Sequence, residues 1–153
     1  MEDKSKKIND FKNNPDIFLE NKFNLLIESN ILSISTNYSS KILILEILSP
    51  WNKKKHLITI DGVDELKISG MRMNNIIEEM VCYSGVIDEN LMSLLKDLYI
   101  DETSTYEFLK IPELDKKIEN IKNGQLKLWE LSSICGASLL VLGKNISLSL
   151  VNE

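Results

Sequence analysis

The chain is poor in the residues that most often carry chemistry. Its 153 residues include one histidine (His56), one arginine (Arg72) and two widely separated cysteines (Cys82 and Cys135). Two cysteines and one histidine at these spacings match no usual zinc pattern, and there is no CxxC pair. The six glycines are scattered and form neither GxGxxG nor a phosphate-binding loop, so nucleotide binding has no support. No apolar run approaches the roughly 18 residues of a spanning helix. The N-terminus, Met1-Glu-Asp-Lys-Ser-Lys-Lys, lacks the apolar stretch of a secretory signal. These absences lead us to expect a cytoplasmic protein with no catalytic residues, no cofactor and no metal. Both cysteines are then expected to be reduced core residues. His56 follows three lysines and has no adjacent base or nucleophile, so it is expected at an exposed or edge position.

Positive charge is also scarce. The net charge is −5 and the sequence pI is near 5.0. Nucleic-acid and anionic-membrane binders draw their affinity from Lys and Arg neutralising phosphates, so neither partner is expected. Complementary charge steers association, so the acidity suits a basic protein partner; it equally suits simple solubility.

Hydrophobic residues make up 43% of the chain and charged residues 27%, proportions that suit a folded globular protein. The length reads as a single domain over 1–153, with the polar residues 1–13 expected to be flexible. Asn14-Pro15-Asp16 opens a short helix ending near Asn21. From Leu25 the pattern turns to strands. Leu32, Ile34 and Thr36 share one face and Ser33 and Ser35 the other. Ile42–Leu48 is an apolar run broken by Glu46, as expected of a strand covered on both faces. In His56–Ile60, Leu57 and Thr59 oppose Ile58 and Ile60, and Asp61-Gly62 signals a turn. Glu65–Ser69 alternates, and Asn75–Tyr83 reads as a further strand.

The middle of the chain is helical. Leu91, Leu94, Leu95 and Leu98 follow helical spacing behind Asp88 as N-cap. Pro112 opens a second helix striped by Leu114, Ile118 and Ile121 and stopped by Gly124. Strands then return. Leu126–Leu131 is followed by a turn or bulge at Gly136, and Gly143-Lys144-Asn145 reads as the loop of a hairpin between Leu139–Leu142 and Ile146–Val151. In the last strand Ile146, Leu148 and Leu150 alternate with Ser147 and Ser149. The expected class is α+β: a mainly antiparallel sheet from strand-rich N- and C-terminal parts, with two or three helices, two of them central.

The segment Asp61-Gly-Val-Asp-Glu-Leu-Lys-Ile-Ser-Gly70, the following Met71–Met80, and Leu128–Leu142 together resemble small bacterial immunity proteins of the contact-dependent growth inhibition and polymorphic-toxin type. That resemblance implies a protein that binds and neutralises one cognate toxin domain, often a nuclease, by covering its active site or substrate surface. Such an inhibitor needs a scaffold and a complementary surface, not catalytic groups. The candidate charge contacts are Asp61, Asp64, Glu65, Glu78, Asp97, Asp101 and Glu102, with Trp51, beside Pro50 in a polar turn, as an apolar anchor. Glu78 and its neighbour Glu79 would point to opposite faces of a strand unless a bulge intervenes. Trp129, in an apolar strand, is expected in the core. Two other readings stay open. One is an acidic secretion chaperone or adaptor that holds a protein client as a homodimer. The other is a small-molecule-binding domain or small enzyme, which would need a cleft joining His56, Cys82 and a carboxylate.

Overall fold

A computed structural model describes residues 26–100 and 111–152. The helix expected near Asn14–Asn21, the flexible stretch 1–13, and the candidates Asp101 and Glu102 lie outside the described residues. Eight strands and two helices follow in the order β1 (Asn30–Asn37), β2 (Ile42–Leu48), β3 (Lys55–Asp61), β4 (Glu65–Ser69), β5 (Ile76–Tyr83), α1 (Glu89–Tyr99), α2 (Leu114–Lys122), β6 (Lys127–Cys135), β7 (Ser138–Gly143) and β8 (Asn145–Leu150). Every strand pairing is antiparallel, in the order β4-β7-β6-β5-β1-β2-β3-β8. The sheet-dominated α+β class and the two central helices agree with the sequence.

The strand order shows how the sheet folds over. β3 and β4 are joined by three residues yet lie near opposite ends of the order, and so do β7 and β8. The two connections run side by side. Asp61 pairs with Asn145 on one side of the bend, and Glu65 pairs with Leu142 on the other. β3–β4 and β8–β7 are thus one two-stranded ribbon, bent so that each half joins a different half of the sheet. Strands that switch sheets in this way commonly use bends or bulges. Here Gly62 takes the left-handed conformation (φ +58°) beneath the Lys144 side chain, and a β-carbon on Gly143 would come within 2.9 Å of Ile60 Cγ2. The expected hairpin at Gly143-Lys144-Asn145 is therefore corrected: those residues turn a corner, and the hairpin is β6–β7 around Gly136-Ala137. Asp61-Gly62 belongs to the same corner.

Alternation along the strands then sorts the side chains into layers. Leu43, Leu45, Ile47, Ile58, Ile60 and Ile146 from one half of the sheet meet Ile77, Trp129, Leu131, Leu139 and Val141 from the other. The opposite face of the second half carries Leu128, Leu140 and Leu142, which pack under Leu91, Leu95 and Leu98 of α1 and Ile121 of α2. That is why β7 is buried from Leu139 to Gly143 on both faces. β2, by contrast, is not fully covered on both faces. Leu43, Leu45 and Ile47 are buried, while Ile42, Ile44, Glu46 and Leu48 are half-exposed. α1 and α2 cover the other half of the sheet.

Local chemistry fixes both helices. Asp88 Oδ1 accepts the Leu91 N–H at 2.8 Å, capping α1 as its sequence suggests. α2 starts two residues after Pro112, and Gly124 follows it with φ +80°. In β1 a bulge between Ile31 and Ser33 shifts the alternation. Ile31 is buried and Leu32 is exposed, so the expected grouping of Leu32 with Ile34 does not hold.

Candidate functional site

The structure divides the acidic candidates between separate places. Asp64 and Glu65 sit where the bent ribbon enters β4, and the Asp64 N–H donates to Leu142 O at 2.7 Å. The Asp64 carboxylate accepts the Tyr99 hydroxyl at 3.0 Å and pairs with Lys117 Nζ, which also lies 5.8 Å from the centre of the Tyr99 ring. One carboxylate thereby ties the corner to both helices. Burial, then the charge of Asp64 and the bond to it, hold the Tyr99 phenol well above its ordinary value. Asp97 is likewise engaged: Lys67 Nζ of β4 donates to its carboxylate at 3.0 Å and to its backbone carbonyl at 2.9 Å. Asp64 and Asp97 therefore act first as ties that hold the helices on the sheet.

Asp61 and Glu65 carry no such tie to a helix among the described residues, although Asp64 and Asp97 are themselves exposed. Asp61 is exposed, and its carboxylate accepts a bond from Asn145 Nδ2 at 3.1 Å. Glu65 is half-buried, and its carboxylate accepts the Leu66 N–H at 3.0 Å. Asp64 and Glu65 help line a hollow of about 340 Å³ with Tyr99, Ile111, Pro112 and Lys117. Asp64 also borders a larger, lysine-rich hollow of about 510 Å³ with Lys116, Lys117 and Lys144. Neither hollow is lined by His56 or Cys82.

Glu78 stands elsewhere, in β5. The ladder there passes from Ile77 opposite Ser133 to Glu79 opposite Ser132, so Glu78 is the extra residue of a bulge. A bulge lets neighbouring side chains escape strict alternation. Glu78 and Glu79 are accordingly both exposed, and neither is forced inward.

Trp51 is 70% exposed and belongs to the opposite end of the strands from the corner. The register carries Ser69, Ser138, Cys135, Ile76, Asn30, Leu48, Lys55 and Leu150 to that same end. Around this rim sit most of the large apolar side chains that the described residues expose: Trp51, Met71 (55%), Met73 (95%), Ile134 (62%), Leu150 and Leu32. Sequence reading found Trp51 and missed the others. The signal for the two methionines was Gly70 followed by Met71-Arg-Met-Asn-Asn75, a loop rich in methionine but free of apolar periodicity.

The backbone under this rim is clamped. Asn75 is 2% exposed. Its side-chain oxygen accepts the Arg72 N–H (3.0 Å) and the Ala137 N–H (2.8 Å), its amide donates to Arg72 O (2.7 Å), and its own N–H donates to Asn30 Oδ1 (3.0 Å). Trp51 Nε1 donates to Ile27 O at 3.3 Å, which orients the indole against the start of the β1 segment. Glu28, whose N–H donates to Ile77 O at 2.8 Å, brings an exposed carboxylate to the same rim. Lys53, Lys54 and Arg72 add exposed positive charge beside it.

Two expectations are corrected here. His56 is half-buried within the sheet, between Ile47 and Leu150, and its Nε2 is buried without a hydrogen-bond partner among the described residues. Cys135 is exposed at the β6–β7 turn, its Sγ 3.5 Å from Asn74 O, whereas Cys82 packs against the main core as expected. Trp129 is 2% exposed, in the core as read from its strand. Among the described residues no three His, Cys, Asp or Glu side chains are grouped to hold a metal, and no helix is long and apolar enough to cross a membrane. No protein-family model matches the chain, and a search of curated proteins finds none similar to it.

Proposed function

We propose that the chain is a non-enzymatic immunity protein that binds a cognate toxin domain, a nuclease by preference, and covers its active site or substrate surface. The single observation that supports this reading is the rim of exposed Trp51, Met71, Met73 and Ile134 held out from a clamped backbone. Exposed apolar side chains of this size are costly in water unless a partner covers them. Rigid presentation lowers the ordering cost of binding, and Trp is enriched at binding hot spots. Exposed Glu28 and Glu78 lie on or near this rim, with exposed Asp61 and half-buried Glu65 at the far corner, offering negative charge to a basic partner. Asp64 and Asp97 contribute by fixing the helices and the corner. Asp101 and Glu102 belong to the same proposed acidic set by their sequence position.

The test uses the protein encoded immediately upstream, purified and mixed with this chain. A complex with one partner per chain on size exclusion, weakened by salt and accompanied by loss of the partner's toxicity, supports the reading. A folded, toxic neighbour that neither binds nor is neutralised overturns it. Binding of an unfolded client segment in place of a folded domain transfers the reading to a secretion chaperone.

A further inference from the structure

The two edges of the sheet are treated differently. At one edge is β4, where α1 packs alongside, Glu65 and Lys67 carry charge, and Lys67 is bonded to Asp97. At the other is β8, Asn145-Ile-Ser-Leu-Ser-Leu150, with no charged residue and no proline, and its pairing with β3 runs without a bulge. Natural sheets protect open edges with charge, proline, bulges or a covering element, because unpaired N–H and C=O groups recruit other strands. None of these devices is present on β8 among the described residues.

The register states which groups are open. The Val151 N–H donates to Lys55 O at 2.9 Å, and Ser149 and Ser147 stand opposite Leu57 and Thr59 in the same phase. Alternate residues of an antiparallel strand direct their backbone groups to opposite sides. The N–H and C=O groups of Ile146, Leu148 and Leu150 therefore point away from β3, along the free edge. The side chains are equally ordered. Ile146 is buried, Leu148 half-buried and Leu150 44% exposed on the core-facing side, with Ser147 and Ser149 exposed on the other.

We infer that β8 pairs with β8 of a second copy of this chain, antiparallel across a twofold axis at Leu148. In that register Leu148 faces its own counterpart, Ile146 faces Leu150, and Ser147 faces Ser149. The open backbone groups then satisfy one another, apolar residues meet apolar residues, and hydroxyls meet hydroxyls. A twofold interface brings a surface against itself, so a strand with charge would oppose like charges; this one carries none. Pairing uses up the edge on both copies and closes the assembly at a dimer. It leaves the β4 edge and the acidic corner outside the contact. The inference stands apart from the toxin reading, because a dimer forms from the purified chain alone.

Sedimentation velocity of the full chain over a rising concentration series is expected to move from the mass of one chain to twice that mass. The Ser147→Lys/Ser149→Lys variant places lysine opposite lysine in the dimer, while both sites are solvent-exposed in the single chain. It should stay at the mass of one chain throughout, with unchanged circular dichroism and, at concentrations where the parent is also a single chain, an unchanged melting temperature. Tyr38→Lys, at the far end of β1 and 97% exposed, should dimerise as the parent does. A parent chain that remains single across the series, or a dimer that survives the double lysine variant, overturns the inference.

Discussion

The side-chain oxygen of Asn75 accepts the backbone N–H of Ala137 at 2.8 Å and thereby locks the β4–β5 loop to the β6–β7 turn. The same side chain holds both backbone groups of Arg72. Replacing it with alanine leaves the buried Ala137 N–H, and the part-buried Arg72 N–H and C=O, without this partner. Each such group costs roughly 1–3 kcal/mol, so Asn75→Ala is expected to lose about 2–4 kcal/mol in chemical denaturation. Asn75→Asp keeps the acceptor but loses the bond to Arg72 O, and should lie between parent and alanine at neutral pH.

The corner is the second point of sensitivity. A β-carbon on Gly143 would meet Ile60 Cγ2 at 2.9 Å, Asp61 O at 3.2 Å and Trp129 Cζ3 at 3.3 Å, and none of these is the end of a flexible chain. Gly143→Ala is expected to cost about 1–3 kcal/mol through overpacking, and Gly143→Val more. Gly124→Ala, whose β-carbon would make only an ordinary contact with Ser84 Oγ at 3.8 Å, should lose about 1 kcal/mol from backbone strain at φ +80°. Thermal melts of the variants check this order. Gly143→Ala as stable as the parent would contradict the close packing at the bend.

Both sites show what the sequence could reveal. Period-two alternation in β3 and β8, the Asp88 cap and the leucine stripe of α1 are local signals, and they read correctly. The bend at Gly143 is local too, but whether a glycine-marked turn closes a hairpin or carries a strand into another sheet depends on pairings made far away. Lys144 N–H bonds to Asp61 O, 83 positions back by residue number (144 against 61). The bulges at Ile31 and Glu78 are set by the partner strand, so the exposure of Leu32 and the outward position of both Glu78 and Glu79 could not be read from alternation. The same holds for the candidate surface. Trp51 stood out by residue type, whereas Met71, Met73 and Ile134 join it only after folding. Asp64 and Asp97 looked like free charge until Lys117 and Lys67 arrived beside them.

Tyr99 supplies a pH test. Its phenol is raised above the ordinary value of 10.0 by burial first and then by Asp64. The unfolded chain loses this proton at the ordinary value and the folded chain holds it longer. Stability from this group is therefore fully present below pH 10 and declines as pH rises through and above that value. Tyr99→Phe should flatten that decline. Ultraviolet absorbance of the parent against Tyr99→Phe should show the Tyr99 phenol ionising only above its ordinary value. Ionisation of Tyr99 at its ordinary value, without unfolding, would contradict the Asp64 contact.

The ion pair from Lys117 to Asp64 spans α2 and the corner, and the Lys117 side chain is mostly buried (16% exposed). Lys117→Met keeps the stem and removes the charge. It is expected to lower stability by about 1–2 kcal/mol, mainly because Asp64 loses a partner while Tyr99 keeps its bond. Lys67→Met, whose partner Asp97 is 62% exposed, should cost less than about 1 kcal/mol. Urea denaturation of the two variants gives the comparison, and equal losses would contradict the distinction between a part-buried tie and a surface pair.

The proposed function makes the Trp51 rim a protein-binding surface. Calorimetric titration of the protein encoded immediately upstream, the proposed toxin, with parent, Trp51→Ala and Met73→Ala chains tests it most directly. The account predicts saturable 1:1 binding per chain, a loss of about 2 kcal/mol or more for Trp51→Ala, which is roughly 30-fold in affinity, and melting temperatures close to that of the parent. Unchanged affinity in both variants, or no binding by the parent chain, would contradict it.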